Sequence, residues 1–90
     1  MDQLVPPPPL DRLFNGKGRL TQMPVREPLR RELMAWVATL LPPGRDLPET
    51  EVNNLLRPVD DDVAMLRRYL VDYGMVQRPR PGTYRRPVED

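Results

Sequence analysis

The chain has 90 residues and a formal net charge of +1, from 14 lysines and arginines against 13 aspartates and glutamates; that is enough for one small domain, and the net charge alone names no nucleic-acid or acidic partner. Cysteine, histidine and serine are all absent, which excludes disulfides, thiolate and imidazole metal sites, the commonest general base and the serine nucleophile. No apolar run approaches the ~18 to 20 residues that span a bilayer and no basic region precedes an apolar one at the N-terminus, so the chain reads as a soluble, cytoplasmic, non-enzymatic protein without cofactor or membrane association.

Residues 1–9 contain Pro6 to Pro9 in a row. Proline fixes φ and removes the backbone donor, so this segment reads as a disordered polyproline II tail, with docking into an aromatic groove as the lesser alternative. Asn15 to Gly18, "NGKG", is a turn signal. The following "RLTQM" has moderate strand character and is ended by Pro24, so a short strand is expected at 19–22, as a third member of any small sheet.

From Pro28 the pattern becomes helical. Leu29, Leu33, Trp36, Val37 and Leu40 fall in one stripe at 3.6 residues per turn. Pro28 suits the first helical turn, and "PPG" at 42–44 stops the helix, giving 27–41. A second helix, 48–57, starts with Glu49 and Glu51 at the positive end of its dipole, carries Val52, Leu55 and Leu56 on its apolar face and ends at Pro58. The third, 61–73, begins at Asp60, Asp61 and Asp62 and continues through Val63, Leu66, Leu70 and Tyr73 to Gly74, a left-handed terminator. Three consecutive carboxylates read as capping and dipole complementation; they lack the alternating ligand spacing of a calcium loop.

After Gly74, "MVQR" and "TYRR" bracket "PRPG", a hairpin over 75–86 in which Val76 and Tyr84 face inward and the arginines stay solvated. Helix, helix, turn, helix, hairpin is the order of an α+β, small winged helix-turn-helix-like domain, with three helices plus a C-terminal β-hairpin, over 10–87. Residues 88–90 form a second tail.

Charge is polarised along the chain. From Asp46 to Asp62 six acids face one base, Arg57; from Arg67 to Arg86 six bases face one acid, Asp72. If the domain enters a DNA groove, the arginines of the hairpin, Arg78, Arg80, Arg85 and Arg86, are the first candidate contacts and Arg67 and Arg68 the next. Two observations oppose this. The acidic start of the third helix lies where a recognition helix meets DNA. Arg67 and Arg68 also have a plain structural use, pairing with Asp72, Glu49 or Glu51 in exposed bridges that contribute about 0 to 1 kcal/mol each. The alternative is a protein-protein adaptor that docks its acidic and basic ends on oppositely charged surfaces or on a second copy. Trp36, Tyr69 and Tyr73 are read as core before interface anchors.

One resemblance rests on residues already named. "GRLTQMP", "ETEVNNLL", "DDDVAMLRRYLVDYGMVQR" and "GTYRR", with Glu51, Val52, Asn53, Asp61, Leu66 to Arg68, Leu70 to Gly74 and Arg78 as the most specific positions, resemble a bacterial family known as domain of unknown function 2087. The likeness runs from about Gly18 to Arg86, and the family occurs alone and fused to ArsR-type regulators. It implies a winged-helix-like fold and an association with transcriptional regulation, but no ligand or catalytic residue. Pro48 stands where the family more often has a threonine or serine that caps the second helix; Asp46 is the expected substitute.

Overall fold

The computed structural model describes residues 5–88; the outer parts of the two expected tails, 1–4 and 89–90, lie outside the described residues. In chain order come a 3₁₀ turn at Leu10–Leu13, α1 at Glu27–Ala38, β1 at Asp46–Pro48, α2 at Glu49–Leu56, α3 at Val63–Asp72, β2 at Gln77–Arg80 and β3 at Thr83–Arg85. The three strands form one antiparallel sheet in the order β1-β3-β2, with Leu47 opposite Tyr84. A strand ahead of a two-helix turn, closed by a hairpin behind it, is the arrangement of a small winged-helix-like domain.

The core is one cluster. Leu33, Met34 and Val37 of α1, Val52 and Leu56 of α2, and Leu66 and Leu70 of α3 close over Leu47, Val76 and Tyr84 of the sheet side. Each such side chain contributes about 1.5 to 3 kcal/mol relative to exposure.

Local chemistry sets the helix ends. α3 starts at Asp62, whose Oδ1 accepts from the Met65 amide at 3.1 Å. Its two neighbours also serve the turn: Asp60 accepts from the Asp62 amide, and Asp61 pairs with Arg19 at 2.8 Å. At the other end Gly74 has φ +73°, the Gly74 amide donates to Val71 and the Met75 amide to Leu70. These are the paired bonds of a Schellman stop, which needs a residue free to turn left-handed. In the hairpin, Pro81 and Gly82 (φ +77°) occupy the two central turn positions, the chemistry of a type II turn.

Four expectations are corrected. Residues 19–22 form no strand of the sheet: Leu20 makes one isolated bridge to Phe14, and its amide donates to Val59. The third strand is β1 instead, an edge position that tolerates Pro48 because the missing N–H faces away from any partner. Asp46 does not cap α2. The Glu49 amide donates to the Gly82 carbonyl, and the Asp46 carboxylate turns to the hairpin arginines. The buried face of α1 keeps Leu33 and Val37 of the expected stripe but is completed by Met34 and Ala38, with Leu41 beyond the helix end, leaving Leu29, Trp36 and Leu40 at the margin, where Trp36 meets Phe14 edge-on at 5.4 Å between centroids. Finally, the prolines do not run on as polyproline II: Pro6 is buried, Pro9 sits at φ −86°, ψ 4°, and Leu10, 3% exposed, fastens the turn to the core.

Candidate nucleic-acid interface

The six candidate arginines separate into three kinds. Arg67, on the side of α3 that faces the sheet, is a clamp. Its Nε donates to the Tyr84 hydroxyl at 3.2 Å, its guanidinium also donates to Asn53 Oδ1, and it pairs with Glu49 at 3.6 Å. Tyr84 in turn donates to Glu49 Oε1 at 3.1 Å. This network ties α2, α3 and β3 together around a ring that is 4% exposed. Among the partners proposed for Arg67 from sequence, Glu49 is the one used; Asn53 was not foreseen.

Arg80, Arg85 and Arg86 are held by the domain's own acceptors. Arg80 and Arg85 each meet Asp46 at 3.1 Å, on its two different oxygens. The hydrogen bond from Arg85 is the main cause that holds the Asp46 carboxyl below its ordinary value; burial opposes it, and the hydrogen bond and charge of Arg80 add to the lowering. Arg86 donates to the Leu41 carbonyl at 2.8 Å and secures the end of β3 to the turn after α1.

Arg68 and Arg78 remain. Both are exposed, and neither has an ion pair among the described residues. Arg78 lies over the Tyr84 ring, 5.7 Å from its centroid. The two arginines line one shallow groove of about 280 Å³ between α3 and the sheet, together with Arg67, Glu49 and Asp72. The groove is therefore mixed in charge, with a cation from each wall and a carboxylate at each end of the helical pair.

A second cluster lies at the far end of α3. The Tyr73 hydroxyl donates to the Glu27 carboxylate at 2.9 Å and accepts from Arg30 Nε at 3.0 Å, while Arg31 lies 4.7 Å over the Tyr73 ring. The hydrogen bond to Tyr73 raises the Arg30 guanidinium further above its already high value. These contacts fasten the start of α1 to the last turn of α3, and leave Tyr69 and Tyr73 stacked at the margin of the core.

Residues 19–86, from the segment before α1 to the end of the sheet, match the family described as an uncharacterized protein conserved in bacteria (DUF2087). The chain belongs to this family. No curated protein matches it, and no solved structure does. The DUF2087 span takes in all three helices, all three strands and all six arginines, and omits the proline segment and the 3₁₀ turn. Among the described residues no helix is long and apolar enough to cross a membrane.

Proposed function

We propose that this DUF2087 domain is a small, cytoplasmic, transcription-associated protein that acts by binding double-stranded DNA and not by chemistry. The observation that carries the reading is the placement of Arg68 and Arg78. They are exposed, lack a carboxylate partner among the described residues, and enter one groove from the helix and from the wing. A winged helix meets DNA with these same two parts, the third helix and the hairpin. Arg78 then serves a phosphate beside the wing and Arg68 a phosphate or base edge in the groove. Arg80 and Arg85 reinforce the wing once a phosphate replaces Asp46. The acidic residues before α3 keep its first turn away from the backbone, so contact begins in the middle of the helix.

The test is a titration of a labelled mixed-sequence duplex followed by anisotropy at several salt concentrations. Binding is expected to weaken steeply as salt rises, and the Arg68→Ala/Arg78→Ala pair should lower the slope by about 2. No binding at low salt, where electrostatic attraction is strongest, overturns the reading. One observation favours a second reading, a protein-protein adaptor: Glu49 and Asp72 share the groove with the arginines, so it suits a surface carrying both signs of charge as well as a polyanion.

A further inference from the structure

Helix α3 stands between two walls, the wing on one side and the start of α1 on the other. At about 100° per residue, Ala64, Arg68 and Asp72 form one outward ridge, with Arg67 and Val71 on one flank and Tyr69 and Tyr73 on the other. All three ridge residues are exposed. The first flank faces the sheet, across the groove that Arg78 enters. The second faces α1, across a separate shallow groove of about 320 Å³ that Arg30 and Arg31 enter from the α1 side.

The cations of this second wall have two uses. Arg30 is half-buried and structural: besides the Tyr73 hydroxyl it donates to the Pro24 and Val25 carbonyls at 3.2 and 3.1 Å, which fixes the turn that carries Arg26 into α1. Arg26 and Arg31 are exposed, and neither has an ion pair among the described residues. Arg31 is steadied by the Tyr73 ring beneath it, a contact that spends none of its donors. Of the two acids beside this groove, Glu27 is already engaged by the Tyr73 hydroxyl and Arg30, and Asp72 belongs to the ridge.

We infer that Arg26 and Arg31 are a second phosphate-binding site, which holds the rim of the DNA major groove opposite the rim that Arg78 meets. A helix with its side chains is about 10 to 12 Å across and the major groove about 12 Å wide, so a helix seated there has a phosphate strand on each side. The two walls beside α3 then fall on the two strands, the wing on one and the start of α1 on the other. Asp72, on the ridge between them, meets base edges and not phosphates, and a carboxylate there accepts from cytosine N4. The inference rests on the duplex-binding reading and adds to it a second strand and two residues outside the groove of Arg68 and Arg78.

The experiment measures the salt dependence of binding to a mixed-sequence duplex for the full chain and its variants. Arg26→Ala/Arg31→Ala should lower the slope by about 2, one released counterion for each contact, and its effect should add to that of Arg78→Ala because the two sites serve different phosphates. Arg12→Ala/Lys17→Ala removes two exposed cations that line no groove of α3 and should lower the slope by less than about 0.5. Arg26 makes no side-chain hydrogen bond among the described residues, so Arg26→Ala alone, with an expected loss of about 1, decides the matter even if the Arg31 variant is poorly folded. A wild type that binds while the Arg26 and Arg31 variants keep its slope, or equal losses from the two double variants, overturns this inference and leaves the duplex reading standing. A wild type that does not bind at low salt overturns both.

Discussion

Replacing Arg67 by alanine separates a clamp from a contact. The Arg67 side chain is 17% exposed and holds Tyr84, Asn53 and Glu49 at once. Two hydrogen bonds contribute about 1 kcal/mol net each, and the pair with half-exposed Glu49 adds about 0.5. Water entering beside Glu49 recovers part of this, so the expected loss is about 2 kcal/mol. In a domain of this size that lowers Tm by about 8 to 16 °C. Arg68→Ala, one residue further on and exposed, should change stability by less than about 0.5 kcal/mol. Arg67→Lys keeps the charge but not the fork of donors, and should regain less than half of the loss. Thermal unfolding followed by far-ultraviolet circular dichroism compares all three. Tm values for Arg67→Ala and Arg68→Ala that agree within about 3 °C would refute the assignment of Arg67 to the fold.

Leu47 tests the strand that the sequence did not reveal: it is 0% exposed and opposite Tyr84 in the sheet, so Leu47→Ala should cost about 2 to 5 kcal/mol in urea unfolding, and a loss under about 1 kcal/mol would mean β1 is not packed. Asp46 should titrate below its ordinary value of 3.8 because Arg85 and Arg80 both donate to the ionised form. A lowered folded-state value means that the stability from this trio is present above the unfolded-chain value and is lost as pH falls through the folded one. A carboxyl-carbon NMR titration of Asp46 with a midpoint at or above 3.8 would show that the trio is not formed in solution.

Much of the fold was legible because its signals are local. The spacing of Val63, Leu66 and Leu70, the aspartate at the cap and the glycine at the stop all lie within one helix and its two ends, and each acts through neighbours fewer than six residues away. The hairpin was legible for the same reason, since Pro81 and Gly82 place its turn and the inward alternation of Val76 and Tyr84 follows. β1 was not legible: three residues, one of them proline, carry no period, and they become a strand only because β3 offers a free edge.

The candidate site divides in the same way. Six arginines in a basic C-terminal third could be counted in the sequence, but their roles depend on acceptors 14 to 45 residues away. Arg67 and Arg68 are adjacent and chemically identical, yet a helix turns successive side chains by about 100°, so one meets Tyr84 and Glu49 and the other meets solvent. Asp46 looked like a cap because caps are local; it became the anchor of Arg80 and Arg85 because the sheet brings residues 34 and 39 positions apart into contact. Amino-acid order by itself determined the three helices, the cap and stop of α3, the hairpin and the stock of charges, but not β1. Which charges neutralise one another, and which two arginines are left facing outward in one groove, only the packing of α3 against the sheet decided, because electrostatic pairing depends on distance in space and not on distance along the chain.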